Sequence, residues 1–372
     1  MSRLFTPLKL GKSQLANRLA LAPMTRFRVD DNYLPIPAVK DYYEQRAAVP
    51  GTLLITEGIL VSTRHVGHKN LPGIWSEEQV TAWREVTDAV HAKGGVIYAQ
   101  LWAHGRTGEP GVFEEMGSKL MGPSAIPMSE DSPTPAEMTE DDIRQLIADY
   151  AQAARNAIRA GFDGVEIHNA NGYLLDEFLQ DVSNQRVDGW GGSVEKRVRL
   201  PLEVAKAVAE AIGADRTGIR ISPYGKFQGM LMADPDPTFR HFIEQLAPLG
   251  LAYLHVIETR QALVELGIED TPDRSIDWIA KLWASSVGGP VIVGGGHTPE
   301  SARQTVEERF KGLDVLVGFG RWFISNPDLV FRIQHGVELT KYDRNTFYIP
   351  KSLDGYADYG FSSEYQVSQG KN

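Results

Sequence analysis

The chain has no cysteine in 372 residues. That removes disulfides, thiolate nucleophiles, iron–sulfur clusters and cysteine-ligated zinc together. It fits a protein that needs no oxidising compartment. Long hydrophobic runs are also missing. No stretch reaches the roughly 18 consecutive apolar residues of a membrane helix, and Met1 to Gln14 lacks the apolar run of a secretory signal. Gly370-Lys371-Asn372 matches no peroxisomal or endoplasmic-reticulum address. A cytoplasmic protein without a membrane partner is expected. Positive charge is in the minority, with 38 Lys+Arg against 48 Asp+Glu and a formal net charge of −10. Such a surface argues against nucleic acid and anionic lipid as partners.

What is present is an ordinary soluble composition, 42% hydrophobic and 23% charged, long enough to bury a large core without staples. Short apolar runs lie at 19–22, 52–56, 96–101, 164–167, 218–221, 252–257, 290–293 and 315–318. Each is nearly continuous in Val, Ile or Leu, as parallel strands buried on both faces require. Segments of helical period separate them, at 37–47, 76–93, 139–160, 194–212, 237–247, 275–283, 298–310 and 327–336. In 139–160, Ile143, Leu146, Ile147, Tyr150, Ala154, Ala157 and Ile158 form one stripe, Thr139 can cap the start and Gly161 the end. Eight strand–helix units predict a single (β/α)8 barrel domain over 1–372. A doubly wound sheet is the alternative, but Pro23-Met24-Thr25-Arg26 stands where its Gly-rich fingerprint would follow the first strand.

Two segments exceed this plan. The Gly/Pro/Ser-rich loop 104–138 follows the third strand, on the rim where barrel active sites form. The tail beyond Glu338 carries Tyr342, Phe347, Tyr348, Tyr356, Tyr359 and Phe361, a density that predicts packing.

Strand ends carry the chemistry of such a barrel. Gly294-Gly295-Gly296 after the seventh run, and Gly320-Arg321 after the eighth, suit a phosphate cradle of backbone N–H groups beside a cation. Tight turns without a ligand are the plainer alternative. Arg220 interrupts an apolar strand and needs an anionic or hydrogen-bonding partner, either a structural ion pair or a flavin ring. Gln100 offers both donor and acceptor to such a ring edge. His168 and Asn171 are two donors suited to one substrate oxygen, and Tyr173 adds a phenol that can deliver a proton.

These residues stand in a wider set of motifs. The set comprises Ala22-Pro23-Met24-Thr25-Arg26, Tyr42-Tyr43-Glu44-Gln45-Arg46-Ala47, Gln100-Leu101-Trp102, Gly164-Val165-Glu166-Ile167-His168 through Asn171-Gly172-Tyr173-Leu174-Leu175, Gly191-Gly192-Ser193, Arg220-Ile221-Ser222-Pro223-Tyr224-Gly225, Gly320-Arg321-Trp322-Phe323-Ile324-Ser325-Asn326-Pro327 and Tyr342-Asp343-Arg344. In this order, over nearly the whole chain, the sequence resembles the old yellow enzyme family of flavin-dependent ene-reductases, especially its yeast and fungal members.

The resemblance implies FMN at the C-terminal face of the barrel. Pro23, Thr25, Gly58, Gln100 and Arg220 match the ring contacts, and Gly295, Gly296, Gly320 and Arg321 the phosphate site. It implies that NADPH or NADH reduces FMN at N5. Hydride then passes to the β-carbon of an α,β-unsaturated carbonyl or nitro compound. His168 and Asn171 match the pair holding the substrate oxygen, and Tyr173 the donor that protonates the α-carbon. Trp102, Phe227, His68 and Tyr359 match positions lining the substrate, although His68 replaces an aromatic residue of several relatives. Small electron-poor alkenes are the expected partners, to a monomer or homodimer. No metal is expected, because the loop histidines His65 and His68 lack carboxylate or cysteine support.

Three other readings stay open. Fungal ergot-type relatives reduce or isomerise an unsaturated aldehyde, and the isomerising forms carry phenylalanine at the donor position, so Tyr173 points to reduction. A barrel hydrolase would use Glu57 and Glu166 as paired carboxylates. A flavin-binding protein without turnover is the third. The dienoyl-CoA reductase branch needs a cysteine-bound cluster and is excluded.

Overall fold

The computed structural model describes residues 2–258 and 274–370; Lys371 and Asn372, read for an address, lie outside them. A hairpin comes first, β1 (Leu8–Leu10) with β2 (Ser13–Leu15). The barrel strands β3 (Leu19–Leu21), β4 (Leu53–Leu60) and β5 (Val96–Trp102) follow. A short parallel pair, β6 (Met121–Gly122) and β7 (Ala136–Glu137), interrupts them. Then come β8 (Gly164–Asn169), β9 (Thr217–Ile221), β10 (Tyr253–Ile257), β11 (Val291–Gly294) and β12 (Val315–Phe319). The eight long-range strands pair in parallel, each with its sequence neighbour, and β12 closes on β3. All eight apolar runs form strands, and the chain is a closed barrel, not an open sheet.

The register carries the polar residues to one end. Gln100 stands opposite Glu166, His168 opposite Arg220, and Arg220 opposite His255. The other mouth is apolar. Leu8, Leu10 and Leu15 of the hairpin pack onto Ala20, Leu53, Ile55, Tyr98, Tyr253, Ile292 and Leu316 and seal it. Gly11 makes the hairpin turn at φ +54°, and a Cβ there would lie 1.9 Å from the Asp215 carbonyl oxygen.

The helix Glu140–Arg159 opens with a reciprocal capping box between Thr139 and Asp142 and buries Ile143, Leu146, Tyr150, Ala154 and Ala157. The expected helix at 194–212 divides into Val194–Arg197 and Arg199–Ile212. Pro201 has no N–H to return to the Arg197 carbonyl, so the ladder is weakest there. The segment 298–310 starts as α-helix Pro299–Gln304 and widens to a π-turn at Thr305–Arg309.

The aromatic tail packs, as expected. Tyr356 stacks on Tyr42 at 4.5 Å between ring centroids, and Arg26 donates to the carbonyls of Phe347 (3.1 Å) and Gly355 (2.6 Å). No helix among the described residues is long and apolar enough to cross a membrane.

Candidate active site

Pro23, Thr25, Gln100, Trp102, His168, Asn171, Tyr173 and Arg220 line one cavity at the C-terminal end of the barrel. Five distinct segments deliver them: the turn after β3, the ends of β5 and β8, the loop after β8, and β9. Arg220 is partly buried in the cavity wall, and its Nε is buried with no hydrogen-bond partner. Burial lowers its pKa and the Glu166 carboxylate offsets this; an arginine stays cationic in such surroundings.

His168 is buried, and its Nδ1 has no partner. Burial first, and then the charges of Arg220, His255 and His104, hold its pKa well below the ordinary value. The ring is therefore neutral at pH 7 and keeps one N–H donor. Asn171 takes φ +61°, a conformation asparagine tolerates, and its backbone N–H donates to Ser222 Oγ at 2.7 Å. Gly172 follows at φ +78°, where a Cβ would meet Met230 Cγ at 2.8 Å and Gln228 Cβ at 2.9 Å. The loop after β8 thus sits directly on the turn Phe227–Gly229.

Tyr173 is wedged between two rings. Trp102 lies 4.7 Å away at 82°, and His168 5.0 Å away at 70°. Burial pushes the phenol up to about 12, with Gln228 drawing it down and Tyr348 raising it further. The group is a protonated donor at neutral pH. Gln228 and Tyr348 were not legible as site residues. Both come from distant segments, and neither lies at a strand end.

Further expected residues fall in four places. Gly58 pairs with Gln100 in register, and a Cβ on it would come 2.3 Å from Trp102 Cε3. Gly295 (φ +159°) and Gly296 (φ +79°) follow β11, while Gly320 and Arg321 follow β12. Among the described residues no carboxylate pairs with Arg321, whose guanidinium lies 5.3 Å from the Tyr342 ring centroid. Phe227 is half exposed, on the turn that packs against Gly172.

Two expected substrate contacts stand elsewhere. His68 is not among the lining residues; it is partly exposed, edge-on to His104 (4.9 Å) and 3.1 Å from Glu109 Oε1. Tyr359 accepts the Asp343 N–H at 3.1 Å, so its hydroxyl serves the tail, and Tyr348 is the tail tyrosine near Tyr173. The paired-carboxylate reading also fails. Glu57, pushed up to about 7 by burial, accepts the Arg26 N–H, while Glu166 bonds Gln100 and His255, and neither lines the cavity.

A cavity walled by a cation, an amide and a hydroxyl, at the barrel end that also carries the glycine turns after β11 and β12, suits an anionic, hydrogen-bonding ligand. A family profile described as NADH:flavin oxidoreductase / NADH oxidase matches residues 3–340. The chain belongs to that family. It is similar to a chanoclavine-I aldehyde reductase, fgaOx3, of Penicillium roqueforti (strain FM164), 54% identical over 98% of each chain. It is 49% identical to a probable inactive reductase, easA, of Epichloe festucae var. lolii, over 98% of this chain and 96% of that one. Among solved structures, an old yellow enzyme from Pichia sp. AKU4542 superposes with a TM-score of 0.90 at 37% identity, over 97% of this chain and 94% of that one.

As a member of this NADH:flavin oxidoreductase family, the chain is an FMN oxidoreductase of the old yellow enzyme type. Its residues fit that cofactor. The orphaned Arg220 Nε points to a hydrogen-bonding ligand.

Proposed function

We propose that this protein is an NAD(P)H-dependent ene-reductase that saturates the carbon–carbon double bond of small α,β-unsaturated aldehydes and related electron-poor alkenes. One observation carries the reading. Two neutral donors, His168 and Asn171, and a protonated phenol, Tyr173, share a single cavity with the flavin-type contacts Thr25, Gln100 and Arg220. The 54% identical relative named for an aldehyde substrate supports the substrate class.

Pro23, Thr25, Gly58, Gln100 and Arg220 would hold FMN at its ring, and Gly295, Gly296, Gly320 and Arg321 would hold it at its phosphate; bound there, it would supply hydride taken from NADPH or NADH. The chain's own residues do the rest. His168 and Asn171 hold the carbonyl oxygen and withdraw electrons through it, which makes the β-carbon electrophilic. Their hydrogen bonds strengthen as charge develops on that oxygen, so they favour the transition state over the ground state. A neutral His168 can donate without first protonating the oxygen. Tyr173 delivers the proton to the α-carbon from its oxygen. Trp102 braces the Tyr173 ring at the cavity wall. Retention of a phenol at this position favours net reduction over isomerisation, which needs no external proton donor.

The test is product analysis with deuterium-labelled NADPH and a 2-alkenal. The reading predicts a saturated aldehyde labelled at the β-carbon. An allylic alcohol labelled at C1 would show carbonyl reduction and overturn it.

A further inference from the structure

Below the cavity floor lies a buried polar chain that the reaction as described does not use. Glu166 has no exposed surface. Its Oε1 accepts the Gln100 amide Nε2–H at 2.8 Å, and its Oε2 lies 2.8 Å from His255 Nδ1. His255 is equally buried. Register fixes the arrangement: Gln100 is opposite Glu166 on the neighbouring strand, and His255 is opposite Arg220. Gly218, opposite Glu166 on the other side, contributes no side chain, and the Tyr253 ring fills that space. A buried carboxylate is kept only where partners satisfy it.

Two consequences follow for the groups above. An amide has one donor end and one acceptor end. A carboxylate accepts only, so Gln100 must turn its NH2 inward and its Oε1 toward the cavity. Arg220 makes no ion pair within 4.0 Å among the described residues, yet Glu166 is the first charge that favours its cationic form. Glu166 thus favours the cation without an ion pair to it, and the Arg220 Nε keeps no hydrogen-bond partner within the protein.

We propose that Glu166 is a positioning residue for the flavin: it orients the Gln100 amide to accept from the ring N3–H, and its charge, offsetting Arg220, sets the reduction potential of the bound cofactor. This rests on the flavin reading above. Burial disfavours an ionised Glu166, but His255, Arg220 and the Gln100 amide outweigh it and hold its pKa below the ordinary value, consistent with a standing negative charge. Removing that charge leaves Arg220 uncompensated beneath a ring that becomes more anionic on reduction, so reduction becomes easier. Replacing the carboxylate by an amide also frees Gln100 to flip, because a glutamine at 166 accepts or donates equally well.

The experiment uses the FMN-loaded wild type, Glu166→Gln and Glu166→Asp. It measures the midpoint potential, and binding of FMN against N3-methyl-FMN to the stripped proteins. In Glu166→Gln the reduced form gains at least tenfold over the oxidised, about 30 mV upward for a two-electron couple. Discrimination against the N3-methyl analogue falls at least tenfold. Glu166→Asp keeps the charge but withdraws the acceptor, so the potential stays near wild type while discrimination falls. A Glu166→Gln protein with wild-type potential and wild-type discrimination overturns the proposal. If Glu166→Gln does not fold, unchanged discrimination in Glu166→Asp overturns it. A wild-type protein that takes up no FMN refutes the flavin reading itself, and this inference with it.

Discussion

The Tyr173 ring stands edge-on to the Trp102 indole, 4.7 Å between centroids and 82° between planes. His168 closes the other side at 5.0 Å. Edge-to-face contacts of this kind are worth about 0.5–1.5 kcal/mol each beyond burial. They brace the ring at the cavity wall. The phenol proposed as the proton donor is thus braced by packing on both rings.

Tyr173→Phe keeps both ring contacts and removes only the oxygen. Flavin reduction by NADPH stays within about twofold of wild type, while alkene reduction slows by about 10²–10⁴-fold, the usual worth of a positioned acid. Stopped-flow measurement of each half-reaction checks this. Equal losses in both would show that the phenol is not the donor.

His168→Ala removes one of the two donors proposed for the substrate oxygen. Binding of a phenol or enone to the oxidised protein weakens about 5- to 100-fold, the range expected for a hydrogen bond that faces developing charge. The charge-transfer band of bound phenol reports the affinity directly. An unchanged dissociation constant would remove His168 from the oxygen site.

The phenol pKa of about 12 sets a pH dependence for alkene reduction. Tyr173 remains protonated far above neutrality, so the rate constant of that half-reaction stays level between about pH 7 and 10. A decline with a midpoint near 8 or 9 would mean that some other group delivers the proton.

Acid stability has its own marker outside the cavity. His65 is buried and its pKa is lowered to about 4, by burial against a smaller opposing pull from Asp149. The unfolded chain takes up a proton near pH 6.5 that the folded chain refuses. The stability is therefore whole above pH 6.5 and lost as pH falls toward 4, by up to about 3 kcal/mol. Urea unfolding at several pH values shows this slope, and His65→Gln flattens it. An unaltered slope in that variant would place the acid sensitivity elsewhere.

Much of this was readable from residue order. Continuous Val/Ile/Leu runs betray strands buried on both faces, and all eight formed. Their ends announced Gln100, His168, Arg220 and the two glycine clusters, because a barrel puts its chemistry there. The hairpin Leu8 to Leu15 was invisible. Its strands are three residues long, and their apolar side chains find partners only at the barrel mouth, in residues far along the chain. The break at Val198 was hidden by a helical stripe that continues past it, although Pro201 carried the signal. Tyr348, and not Tyr359, is the tail tyrosine that interacts with Tyr173, and a tail outside the repeating pattern has no strand end to anchor such an assignment. Glu166 looked like a general acid or base at a strand end, and only the register shows it turned inward to Gln100 and His255.

The most direct test is the visible spectrum of the purified protein under anaerobic conditions, before NADPH, after it, and after an enone. The account predicts oxidised flavin bands that bleach with NADPH and return on adding the enone, with the saturated product formed in equal amount. A protein that takes up no FMN on reconstitution, or whose bleached flavin the enone fails to reoxidise, would contradict it.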